Sequence, residues 1–533
     1  MTALDWSLPY PSRRQPVLAR NVVATSQPLA TQAGLAMLAR GGSAVDAAIA
    51  TAITLAVVEP VSNGIGSDLF AIVWGGSGLA GLNASGRAPA AAVASRYAGS
   101  AGMPQRGWEA VTIPGAVSGW VALSKRYGRL PFADLFEPAV RYARDGWLVS
   151  PVIAAQWQRA AAILPHDLGY AEHFLPGGRS PRAGETFSCP SMARTLEAIA
   201  ATGGEAFYRG DLARAMADDA KRHGAPHTAG DCARHECDWV TPLGFDYRGT
   251  TVHEIPPNGQ GIAALIALGI LESFHADRES PDSLLAQHRA IEAMKLAFAD
   301  TYRHVADRAH MRVAPEAMLD RAYLASRARL IDARRAQDFG PGSPPAGGTV
   351  YLATGDAQGQ MVSLIQSNYM GFGSGVVVPG TGISLQNRGA GFSMQERHPN
   401  VVAPGKRPFH TIIPAFLTRD GAPVMCFGVM GGHMQPQAHV QTLVRMLDHH
   451  QQPQAACDAP RWRVNEGLEI NVERHMPRAT IEALRSLGHH IAGLDDSYMD
   501  FGAGQFIWRL GDPAVEGYVA ASDPRRDGLA AGW

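Results

Sequence analysis

Lysine is nearly missing from this chain of 533 residues, where Lys125, Lys221, Lys295 and Lys406 stand alone among a large excess of arginine. Schiff-base chemistry therefore has few candidates. Net charge is missing as well, because 47 Lys and Arg face 48 Asp and Glu, a balance of −1. Nucleic acids and anionic membrane surfaces are bound by clustered positive charge, so neither is an expected partner. Cysteine is sparse and odd in number (Cys189, Cys232, Cys237, Cys426, Cys457) and shows no framework spacing, which argues against disulfides and suits a reducing compartment. The opening MTALDWSLPYPSRRQPVLAR has no apolar h-region, so the chain reads as cytoplasmic.

Charged residues make up 18% of the chain and are unevenly placed. Ala357 to Asn387 contains no Asp, Glu, Lys or Arg, and neither does Ala422 to Val444. Six glycines with Gln, Asn, Ser and Pro interrupt the first run, and His433, Gln435, Gln437 and His439 the second, so neither is a membrane span. Both read as buried strands and tight turns. With 46% hydrophobic residues and a length beyond what one compact core fills, the chain is expected to form two lobes or one large layered domain.

Local patterns place the first elements. TQAGLAMLAR (Thr31 to Arg40) carries helix formers and stops at Gly41-Gly42, while Ser43 and Asp46 form a capping box before an Ala-rich helix reaching Glu59-Pro60. FAIVWG and LAGLNASG read as a hairpin of buried strands. From Trp120 to Arg334 the pattern is largely helical, interrupted at EIPPNGQG. QDFGPGSPPAGG is too rich in Gly and Pro to form an element, so residues 336–348 are a linker, followed by a strand, turn and strand from Thr349.

The common catalytic signatures G-x-S-x-G, S-x-x-K, H-E-x-x-H and the P-loop are missing, and GFGSG (Gly371 to Gly375) lacks the context of a dinucleotide site. His223, His227, Cys232, His235 and Cys237 are dense, but no paired unit closes a tetrahedron, so they read as a surface loop and no metal or cofactor is expected. Thr349 is the stronger candidate. On its own it is an ordinary strand residue. Cleavage of the Gly348–Thr349 bond, however, would free an α-amine with a pKa near 7.7–8.0 beside the threonine hydroxyl, making base and nucleophile one residue.

Several separated motifs now fall in order: TQAGLAMLARGGSAVDAAIA, IPGAVSGW, PPNGQGI, GGTVY, GFGSGVVVPGTGISLQN, KRPFHTIIPAF, GVMGGHMQPQ and ASDPRRDG. Together they resemble the γ-glutamyltransferase family of N-terminal-nucleophile hydrolases over nearly the whole length. The resemblance implies an α+β fold, a four-layer αββα sandwich made as one precursor. A large subunit (residues 1–348) and a small subunit (residues 349–533) would remain associated, and a dimer of such heterodimers is allowed for. It further implies that Thr349 is the nucleophile, that Ser367 hydrogen-bonds to it, and that Gly431 and Gly432 form the oxyanion hole.

The departures from the family pattern carry the substrate reading. The family arginine that holds an α-carboxylate falls at Ser85, with Arg87 displaced by two residues. The asparagine, glutamine and aspartate around the α-ammonium correspond to Tyr369, Arg388 and Gly391, and a serine pair to His410-Thr411. Losing the acid and gaining a guanidinium disfavours a cationic amine and favours a carboxylate, with a structural ion pair as the alternative for Arg388. The larger side chains imply a compact pocket. LQNRG resembles the branch containing oxamate amidohydrolase and related acylases, so a small carboxylate-bearing amide, oxamate first, is the expected substrate. A γ-glutamyl hydrolase or transferase, a dicarboxylate-type (cephalosporin-like) acylase and an inactive binding homologue are the alternatives. His433 either lines the pocket or is a core histidine.

Overall fold

The computed structural model describes residues 13–274, 280–340, 348–494 and 498–533. Two seven-stranded antiparallel sheets face one another. One runs Val17–Ala19, Tyr518–Ser522, Ala503–Arg509, Ala422–Met430, Ala415–Arg419, Thr250–Glu254 and Leu243–Tyr247. The other runs Leu529–Gly532, Val22–Thr25, Gly348–Gly355, Met361–Tyr369, Asp68–Trp74, Leu79–Ala84 and Asp238–Val240. Their inner faces meet in a core containing Phe70, Tyr351, Ile365, Phe416, Met430 and Ile507. Helices cover both outer faces, completing the expected αββα order.

The helix Ala44–Val58 shows why the layers close. Its Ser43/Asp46 capping box is present, and every residue from Ala44 to Val58 is buried. A helix apolar on all sides must be covered on all sides. It lies between its own sheet and the helices Pro28–Ala39 and Glu137–Asp145. Gly41, at φ +85°, turns the chain between the two N-terminal helices, a conformation that only glycine adopts cheaply.

Of the two arrangements expected, the chain adopts the single layered domain, because the strand Gly348–Gly355 pairs with Val22–Thr25 on one side and Met361–Tyr369 on the other. Segments from before and after residue 348 also alternate in the opposite sheet, where Thr250–Glu254 pairs with Ala415–Arg419. The second uncharged run is a strand followed by the helix Met434–Leu447, not strands and turns. That helix buries polar groups with partners: Gln437 Oε1 accepts the Val464 N–H at 2.7 Å and His439 Nε2 the Val429 N–H at 3.2 Å. A buried face built from Gln and His shows no apolar period.

The His/Cys-rich segment is largely buried rather than a surface loop, with His227, Cys232 and His235 all inside. Its histidines go to separate partners: His227 to the Val111 carbonyl, His235 to Ser118 Oγ and His223 to the Asp219 carbonyl. Of the linker, residues 336–340 are described, with Ala336 donating to the Leu487 carbonyl at 2.7 Å, while 341–347 lie outside the described residues. Among the described residues, no helix is long and apolar enough to cross a membrane.

Candidate active site

Side chains alternate across a strand, so Thr349 shares the inner face with Tyr351, Ser367 with Ile365, and Asp68 with Phe70. Asp68 and Ser367 are directly paired in register, and Thr349 sits where the register shifts between Gly348 and Val350. Three adjacent strands thus bring Asp68, Ser367 and Thr349 into one row. Thr349 Oγ1 lies 3.1 Å from Ser367 Oγ, which also accepts the Tyr369 N–H at 2.8 Å. Tyr369 adopts φ +79°, a left-handed conformation unusual for an aromatic residue, and this turns the chain out of the strand.

Arg388 follows the first uncharged run and is 1% exposed. Its Nη1 donates to Thr411 Oγ1 at 2.7 Å, and its guanidinium carbon lies 4.6 Å from the centre of the Tyr369 ring. Nε and Nη2 are buried, and among the described residues they meet no acceptor. Burial pulls its pKa down to about 10, with Asp68 and Tyr369 opposing the shift. Such a guanidinium stays charged at neutral pH and presents two donors. No ion pair holds Arg388, so the structural alternative has no acidic partner among the described residues.

Asp68 joins this site from the first position of the strand Asp68–Trp74. Its Oδ1 accepts the Gly115 N–H at 3.1 Å, and Oδ2 lies 3.1 Å from His410 Nε2. The other nitrogen of His410 accepts the Ile412 N–H at 3.4 Å. Both ring nitrogens are therefore engaged, with the Nε2–H facing the carboxylate. Burial and then the Arg388 charge pull the His410 pKa to about 4 against the pull of Asp68, so the ring is neutral. A lone Asp at the start of an apolar strand gives no periodic signal. Only the register across from Ser367 reveals it.

Gly431 and Gly432 join the end of the strand Ala422–Met430 to the helix Met434–Leu447, with φ of +132° and +60°. Among the described residues neither N–H has a protein acceptor, while the Gly432 carbonyl is tied to Gln260 Nε2 at 2.9 Å. Gln260 Nε2 also donates to the Thr411 carbonyl at 2.7 Å, linking this turn to the Arg388 anchor. Two unused N–H groups at a helix N-terminus suit a developing oxyanion.

The positions that depart from the family pattern are accounted for. Ser85 is buried, donating to Asn83 Oδ1 at 2.7 Å, and Arg87 faces Asp238 and Asp307 at 3.4 and 3.5 Å near the surface. Gly391 has no room for a side chain, since a Cβ there would lie 2.5 Å from the Phe409 carbonyl. Outside Tyr369 and Gly391 opens a cleft of about 660 Å³, walled also by Tyr302, Phe392, Phe409 and His433. Among the described residues the metal-ligand types that converge are His288, Glu292 and His489, away from this cleft's lining.

Fold and site together define an N-terminal-nucleophile hydrolase architecture. The gamma-glutamyltranspeptidase family model matches residues 30–533, and the chain belongs to that family. It is 38% identical to an oxamate amidohydrolase proenzyme of Klebsiella pneumoniae, over 95% of this chain and 97% of the relative. To a glutathione hydrolase-like proenzyme of Bacillus subtilis it is 36% identical, over 96% and 98%. Among solved structures, a cephalosporin acylase from Bacillus halodurans superposes with a TM-score of 0.94 at 46% identity, covering 100% of this chain and 99% of that one. The chain is accordingly an amide (C–N bond) hydrolase of this family.

Proposed function

We propose that the chain is a proenzyme cut between Gly348 and Thr349, and that Thr349 then hydrolyses a small amide whose acyl half carries a carboxylate, oxamate being the smallest such compound. The observation that carries this reading is Arg388: a buried guanidinium with two unmet donors and no acidic partner among the described residues. Leaving such donors without partners is costly, whereas a bound carboxylate would satisfy both. Gly391 without a side chain and Tyr369 over the guanidinium support a compact acyl half without an α-ammonium.

In this reading the α-amine of Thr349 takes the Oγ1 proton as Oγ1 attacks the amide carbon. Gly431 and Gly432 N–H groups hold the resulting oxyanion, and Arg388 holds the acyl carboxylate. The ammonium returns its proton to the departing nitrogen, the C–N bond breaks, and an ester on Thr349 remains. Water, deprotonated by the same amine, attacks that ester and releases the diacid, restoring the Thr349 hydroxyl. Because strands from both sides of the cut interleave in both sheets, the two pieces would stay together.

The test is release of ammonia from a panel of acid amides. Oxamate and short carboxylate-bearing amides should turn over well ahead of neutral amides of equal size. Turnover of a γ-glutamyl anilide at a rate matching oxamate would instead favour a γ-glutamyl hydrolase, for which no free carboxylate stands at Gly391.

A further inference from the structure

We propose that His433 reads the amine half of the substrate, its Nε2–H donating to a carboxylate carried by the departing amine, with Tyr302 as the positioning residue that fixes the ring. This rests on the reading of Thr349 and Arg388 above and extends it to the opposite half of the substrate.

Three observations converge. His433 follows Gly432 directly, is 1% exposed, and lines the cleft outside Tyr369. Its Nδ1 lies 2.7 Å from Tyr302 Oη, and its ring is stacked parallel to Phe409 at 6.2 Å and edge-on to Tyr302 at 5.7 Å, so its orientation is set. Its Nε2 is buried and meets no partner among the described residues. Burial, then Arg463 and Arg388, pull its pKa to about 3, so it is neutral throughout the working range. We assign the Tyr302 O–H as the donor to Nδ1, a phenol being the stronger donor of such a pair, and this assignment places the remaining proton on Nε2.

The cleft is also far too large for ammonia. About 660 Å³ stands outside Tyr369, against roughly 30 Å³ for a molecule the size of water. Its charged wall favours an anion: Arg303 is exposed with no acidic partner among the described residues, while Asp300 is committed to Arg327 at 3.2 Å and Tyr323 Oη at 2.8 Å. A carboxylate-bearing amine therefore meets a donor at the inner end of the cleft and a cation at its mouth.

The experiment uses the processed enzyme and three amides of one acyl group: oxamate, N-ethyl oxamate and N-oxalylglycine. The wild type should prefer N-oxalylglycine to N-ethyl oxamate in kcat/KM. His433→Phe, which keeps the stacked ring and removes the nitrogen, should lower that ratio about tenfold, the worth of one hydrogen bond to a charged group. Tyr302→Phe, which frees the tautomer and keeps the ring in the cleft wall, should lower it in the same direction by less. Should His433→Phe fail to fold, the Tyr302→Phe ratio decides alone. An unchanged ratio, or equal losses on all three amides, would overturn the proposal while leaving the Thr349 reading intact. Failure of Arg388→Gln to slow any oxalyl amide would sink that underlying reading instead.

Discussion

Thr349 Oγ1 and Ser367 Oγ stand 3.1 Å apart on paired strands while the chain is still continuous through Gly348. The sheet, and not the cleavage, creates this contact. Thr349→Ala should therefore fold normally yet run as a single full-length band on a denaturing gel after long incubation, where the parent protein should give two pieces, residues 1–348 and 349–533. Ser367→Ala should process about 10–100-fold more slowly, the loss expected from one hydrogen bond to a group developing charge. Two pieces from Thr349→Ala would remove the self-cleavage claim.

Arg388 offers a fork held at one tine by Thr411. Arg388→Gln should cost a carboxylate-bearing amide about 10²–10³ in kcat/KM, as truncating one member of a buried charge pair does. A neutral amide of the same size should lose far less. Arg388→Lys should recover only part, because an ammonium presents a point charge where two parallel donors are needed. Equal losses on charged and neutral amides would assign Arg388 to packing.

Much of this was legible in the residues. The Ser43/Asp46 capping box, the 349–369 strand pair and the charge-free run around Ser367 each follow local rules, and local rules appear in sequence. What was not legible depends on register and on closure. Asp68 matters because it faces Ser367 across a strand pair whose partners lie far apart in the chain. The helix Met434–Leu447 escaped because its buried face is built from hydrogen-bonded Gln and His. The Arg388 donors could be called unmet only once every neighbouring carboxylate had a position.

The glycine pair predicts a separable effect. Gly431 adopts φ +132°, and a Cβ there would lie 3.0 Å from Gly502 Cα, so Gly431→Ala must shift the turn that aims both N–H groups. In the proposed reading the substrate is held elsewhere, by Arg388. The expected result is a fall in kcat of about 10²–10³, the size of losing one oxyanion donor, with KM changed by much less. A rise in KM at constant kcat would show that these amides bind the ground state instead.

The last prediction concerns acid. Burial, as the leading cause, holds His227, His235 and His410 at pKa values of about 4, and His433 at about 3. In the unfolded chain a histidine titrates near 6.5, so below that pH the unfolded state binds protons that the folded state refuses. Stability from these groups is complete above about pH 6.5 and is lost as pH falls towards about 4. Urea unfolding across this window should show a free energy falling by up to about 1.4 kcal/mol per pH unit for each such histidine. His227 is the cleanest probe, because its Nε2 donates to the Val111 carbonyl at 2.9 Å and it takes no part in the Thr349 row. His227→Gln keeps a donor there and removes the titration, so its slope should be shallower by about one proton. An unchanged slope would mean that His227 is protonated in the folded state.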